Sequence, residues 1–121
     1  MVAVREVPLP FEAAAALRQI LGILLDNAGG EHGWSWDVDH ALALDTRLEL
    51  RWPAECWATL TGDERTVALV IEDVALLLLG LAFTEAASED LPWIEAVRWT
   101  ADFVTAELRP NWTDEEWRTQ A

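Results

Sequence analysis

Residues 34–52 read WSWDVDHALALDTRLELRW, and the reading of this stretch decides the fold. From Trp36 onward the even positions carry Val38, His40, Leu42, Leu44, Leu48, Leu50 and Trp52, while the odd ones carry Asp37, Asp39, Asp45, Arg47, Glu49 and Arg51. Alternation with period two is the signature of a strand with one buried face. A break at Asp45–Arg47 turns the stretch into a hairpin with Leu44 facing Leu48, Leu42 facing Leu50 and His40 facing Trp52, all on one side. The pattern therefore predicts a small antiparallel sheet over about 34–60, with its carboxylates turned outward.

Helices are expected around that ribbon. Residues 10–28 open on Pro10, run through an Ala- and Leu-rich segment and stop at NAGG. Thr61 and Glu64 have the spacing of a capping box, which favours one long helix over about 62–87. A strand TVALVI followed by a shorter helix is the rival, supported by the β-branched Thr66, Val67, Val70 and Ile71. A third helix fits 92–109. A short one fits 113–120, where Thr113 and Glu116 form a capping box and Trp112 and Trp117 occupy the staple positions. The fold class read from these elements is α+β, one acidic domain spanning 1–121, with no internal repeat, low-complexity tract or linker.

The balance of charge narrows the partners. Eight arginines and no lysine stand against 22 acids, a net charge of −14. A chain of this size exposes about 6,500 Å2, which spaces evenly spread net charges about 20 Å apart, beyond the screening length of about 8 Å. Only clustered charge would recruit a basic partner. Direct nucleic-acid binding and anionic membranes are disfavoured by the shortage of basic residues. No apolar run approaches the ~20 residues that span a bilayer, and the first ten residues lack the pattern of a secretory signal, so a cytoplasmic protein is expected.

Residues 31–40 concentrate the polar chemistry: His32, Asp37, Asp39 and His40 could be taken for metal ligands. On a strand Asp37 and Asp39 face away from His40, so they cannot converge on one ion. The glycines at 29–33 follow a helix end rather than lead into a helix, which disfavours a phosphate loop. Cys56 sits beside Glu55 and Trp57, without the basic neighbours that activate a thiol. No cofactor and no catalytic constellation is expected. Of the eight tryptophans, Trp34, Trp36, Trp99 and Trp117 are the candidates for exposure or interfaces.

These features point to a non-catalytic interaction module that covers a basic groove on a partner protein, in the manner of inhibitors, immunity proteins, antitoxins or DNA mimics such as phages and mobile elements encode. The partner would be a nucleic-acid-handling protein with a basic surface. Asp37, Asp39, Asp45, Glu49, Asp114, Glu115 and Glu116, with Trp34 and Trp117, are the candidate contacts. The alternative is a structural protein that homo-oligomerises through its apolar helices. A Trp-lined pocket for a small ligand is a third reading.

Overall fold

In a computed structural model, which describes residues 3–27, 30–31 and 33–120, the segment that reads as a hairpin is a helix. Helix α2 spans Val38–Arg51 and buries Ala41, Leu44 and Leu48, a stripe at helical spacing. Leu42 and Leu50, which completed the alternating pattern, are 53% and 79% exposed. Asp37 caps the helix, its carboxylate accepting the His40 N–H at 3.1 Å. Pro53 follows the helix end, where a proline favours an extended predecessor, and Trp52 is extended. A short helix, α3 (Ala54–Thr59), occupies the end of the stretch expected to be sheet.

The fold is α+β, but its sheet lies elsewhere. Strand β1 (Arg5–Leu9) leads into α1 (Phe11–Asp26). A two-rung hairpin of β2 (Gly30–Glu31) and β3 (Trp34–Ser35) precedes α2 and α3. Strand β4 (Arg65–Leu69) leads into α4 (Ile71–Ala87), and α5 (Ile94–Leu108), a single 3-10 turn and α6 (Asp114–Gln120) complete the chain. The expected helix over 62–87 is thus strand then helix. Val67 and Leu69 point inward from β4 as Val7 and Leu9 do from β1, and residues 61–64 are irregular rather than a capped helix start. Helices α1, α5 and α6 match the sequence reading. The Thr113–Glu116 box is formed, at 2.8 and 3.2 Å.

The sequence reading found no internal repeat, and the order of elements corrects it. Apart from the β2–β3 hairpin of the first half and the 3-10 turn of the second, the element order β1-α1-α2-α3 recurs as β4-α4-α5-α6. A shift of sixty residues without a gap superposes Arg5 on Arg65, Val7 on Val67, Leu9 on Leu69, Glu12 on Glu72 and Leu17 on Leu77. It also matches Ala41 with Ala101, Leu48 with Leu108, Trp52 with Trp112, Glu55 with Glu115 and Trp57 with Trp117. β1 pairs antiparallel with β4 about Val7↔Val67, and Arg5↔Leu69 becomes Leu9↔Arg65 when the halves are exchanged, as a two-fold relation requires. Arg65 Nη1 donates to the Arg51 carbonyl, and its counterpart Arg5 Nη1 donates to the Asn111 carbonyl, each at 2.9 Å. α2 packs on β4 and α5 on β1, so the halves are interlocked.

Leu17, Leu21 and Leu24 of α1, Leu44 and Leu48 of α2, Leu77 of α4 and Val104 and Leu108 of α5 close the core over the sheet. Each fully buried Leu contributes about 2 kcal/mol. Near the two-fold axis the halves must differ. Ile20 lies against its own counterpart, Gly80, where an added Cβ would stand 2.6 Å from Ile20 Cγ2. The sheet edges are blunted as edge strands require. On β4, Arg47 Nη1 and Arg51 Nε donate to the Ala68 and Thr66 carbonyls at 3.0 and 2.6 Å. On β1, Pro8 has no N–H to offer.

Candidate functional site

The one charged side chain that is fully buried among the described residues is Asp73, 1% exposed. It is the third residue of α4, and its Oδ2 turns back to accept the Val70 N–H at 3.0 Å, capping the helix where the macrodipole favours an anion. The same oxygen accepts Arg47 Nη1 at 2.8 Å, and Oδ1 lies 2.7 Å from His40 Nε2. His40 and Arg47 are seven residues apart on α2, two turns along one face. Burial alone would raise the Asp73 carboxyl, but hydrogen bonds from His40, the Val70 amide and Arg47 outweigh it and hold the group below its ordinary value. The carboxylate fixes the ring orientation of His40 and ties α2 of one half to the β4–α4 corner of the other. Its counterparts under the sixty-residue shift are Ala13, Thr100 and Glu107, so the cluster occurs once.

This placement corrects the expected neighbour of His40, which was Trp52. Trp52 is instead buried against Phe11 and Trp57, with ring centroids 5.9 and 5.8 Å away, and its Nε1 donates to the Asp63 carbonyl at 2.8 Å. The candidate metal ligands diverge: Asp37 is a helix cap, Asp39 is exposed in the first turn, His40 faces Asp73, and His32 lies outside the described residues. Among the described residues no three His, Cys, Asp or Glu side chains are grouped to hold a metal ion. Cys56 is a half-buried free thiol on α3.

The candidate contact carboxylates do not share an outward strand face, because the strand is a helix. Asp45 and Glu49 turn toward α1 and clamp Arg18: Asp45 accepts Nε at 2.9 Å and Glu49 accepts Nη2 at 3.3 Å, while the guanidinium stacks 4.6 Å above the Trp57 ring. Glu116 takes Arg5 through both oxygens, at 2.6 and 2.9 Å. The Thr113 amide, then Arg5, holds the Glu116 carboxyl below its usual range. Asp114 pairs with Arg109. Asp37, Asp39 and Glu115 remain exposed.

Trp34 and Trp117 do come together. They line a groove of about 620 Å3 along α4, whose Ala75, Leu78, Leu79 and Ala82 contribute with Thr105 of α5. Trp34 packs edge-on against Phe83 at 5.8 Å, and Trp36 anchors the hairpin by donating from Nε1 to the Leu24 carbonyl at 2.8 Å. The sixty-residue shift carries this groove onto a second one of about 330 Å3, lined by Ala15, Arg18, Gln19, Gly22, Asp45 and Trp57. Exposed aromatic surface lies on α5 as well, where Trp99, 68% exposed, stacks on Phe103.

The sequence reading missed Asp73 and Arg47 as a cluster. The available signal was an acid at the third helical position after a strand, a capping position that the long-helix reading erased.

The fold and site thus define an α+β protein built from two interlocked copies of a β-α-α-α unit, with one buried carboxylate cluster and two diverged grooves. No protein family matches the chain, and no curated protein or solved structure is significantly similar to it.

Proposed function

We propose that this chain is a non-catalytic acidic interaction module that covers a basic surface of a partner protein, acting in the cytoplasm as an inhibitor, immunity protein, antitoxin or DNA mimic does. The observation that carries the reading is the fate of the arginines. Arg5, Arg18, Arg47, Arg65, Arg98 and Arg109 each pair with a carboxylate of the same chain. Arg51 and Arg118 donate to backbone carbonyls. The cationic groups are committed internally, so the surplus charge presented to a partner is negative. Such a surface repels nucleic acid, and it steers a basic partner where its exposed carboxylates cluster. No helix among the described residues is long and apolar enough to cross a membrane.

The test is affinity capture from a cell lysate at low and moderate salt, followed by competition with duplex DNA. Basic nucleic-acid-binding proteins, released by salt and displaced by DNA, are the expected catch. Retention of only non-basic proteins, insensitive to salt, overturns the reading. A second reading, self-assembly through apolar helices, is favoured by the Trp99–Phe103 stack and by exposed Leu42 and Leu50 on α2, the counterpart of α5. It predicts an oligomer by light scattering that persists at high salt.

A further inference from the structure

We propose that the groove along α4, rimmed by Trp34 and Trp117, seats a basic amphipathic helix of the partner. The inference rests on the acidic-interaction reading and gives it a place. The two related grooves act as a comparison within one molecule. In the groove that Ala15 and Gly22 line, Arg18 lies over Trp57 and is clamped by Asp45 and Glu49, so a paired guanidinium lines a trough of about 330 Å3. In the groove along α4, Leu78 and Thr105 stand at the positions of Arg18 and Asp45, while Arg109, the counterpart of Glu49, lies over Trp117.

The floor suits a helix. Ala75 and Ala82 are seven residues apart, about 10 Å along α4, with Leu78 and Leu79 between them. Small residues two turns apart beside bulky ones form the hollows into which apolar side chains at i, i+3 or i+4 and i+7 of a docked helix fit. Trp34 reaches this trough only because the β2–β3 hairpin of the other half delivers it against Phe83. The surround is acidic. Glu72 and Asp102 are exposed and lie one helical turn before Ala75 and Thr105, and Arg109, beside Trp117, is already paired with Asp114. An apolar floor with acidic flanks complements leucines on one face and lysines or arginines on the other.

The experiment uses the full chain and a dye-labelled peptide of leucine and lysine patterned as an amphipathic helix, with a scrambled peptide of the same composition. Ala82→Trp fills the groove from an exposed position. Gly22→Trp is its counterpart in the groove that Arg18 lines, where an added Cβ meets nothing within 4 Å. Leu79→Gln is a second, less bulky disruption, and a thermal melt verifies that each variant is folded. The expected result is affinity about tenfold weaker for Ala82→Trp, for Leu79→Gln and for the scrambled peptide, with Gly22→Trp unchanged. Equal, salt-sensitive binding by all variants and both peptides overturns the groove and leaves the acidic reading standing. Absence of binding by either lysine peptide overturns both. A dimer of the chain that Ala82→Trp dissolves assigns the groove to a second copy and also overturns the proposal.

Discussion

Replacing Asp73 by Ala removes the buried carboxylate that joins α2 to the start of α4. The Val70 N–H loses its cap, a loss of about 1 kcal/mol. Arg47 and His40 lose a buried carboxylate, but their side chains are 42% and 30% exposed and regain water, so each contributes about 1 kcal/mol rather than the several of a fully buried pair. The expected destabilisation at neutral pH is therefore about 3 kcal/mol. For a chain of this length that lowers Tm by about 12 °C. Asp73→Asn keeps an acceptor for one partner and falls between the two.

The pH dependence separates this account from simple loss of packing. The Asp73 carboxyl is held below its ordinary value of 3.8, so the stability it supplies is fully present above that value and is lost as pH falls through the lower, folded-state pKa. The groups facing it are His40 and Arg47 from α2 and the Val70 amide. Urea unfolding of wild type and Asp73→Ala, followed by tryptophan fluorescence, reads the difference at each pH. It should shrink below about pH 4. A difference under about 1 kcal/mol at pH 7, or one unchanged at the lowest pH where the protein still folds, refutes the reasoning.

Gly80→Ala should cost about 1–2 kcal/mol although alanine is the better helix former, because its Cβ strikes Ile20; shortening Ile20 to Ala in the same chain should recover part of the loss in urea titrations. Leu60, left-handed at φ 56° and exposed at the end of α3, should give a gain of about 0.5–1 kcal/mol on replacement by Gly, read as a higher Tm. Trp52→Phe should cost about 1 kcal/mol more than Trp112→Phe, since Trp52 Nε1 holds the Asp63 carbonyl while Trp112 Nε1 has no acceptor among the described residues. Thr113→Ala should lose about 1 kcal/mol and deprotect the amides of α6 in hydrogen exchange.

The elements legible in the sequence were those whose signals are local. α1 and α5 open just after a proline and carry helical stripes, and at α6 the Thr113–Glu116 box specifies a hydrogen-bond geometry as well as a boundary. α2 was misread because periods of two and of about 3.5 share Leu44 and Leu48, and exposed Leu42 and Leu50 completed the wrong pattern. Its content of Ala, Leu, Glu and Arg, with Val38 and Thr46 alone β-branched, was the better guide. β1 was missed, and β4 stood only as the rival reading of TVALVI, for a different reason. Each is five residues long, and two strands sixty residues apart form a sheet only through the tertiary fold. Of the candidate site, the meeting of Trp34 with Trp117 followed from no local signal, and the pairing of Asp45 and Glu49 with Arg18 needed α1 and α2 to be neighbours.

What the two halves share and what they do not falls into a physical pattern. The shared residues, Val7/Val67, Leu9/Leu69, Leu48/Leu108 and Trp52/Trp112, are buried where any copy of the unit must close its core. Differences near the axis are of another kind. Two identical halves would set the same side chain against itself at position 20 and its counterpart: two isoleucines would collide and two glycines would leave a void. A single chain escapes that constraint, setting Ile20 into the hollow at Gly80. The same freedom lets Asp73 have Ala13 at its equivalent position, so the one buried carboxylate meets one His and one Arg and has no acidic counterpart. It also lets Leu78 replace Arg18, leaving one groove open while the other stays clamped. The first of these asymmetries is needed where the core meets the axis, the second ties one half to the other through a buried carboxylate, and only the third lies at the surface, in the groove along α4.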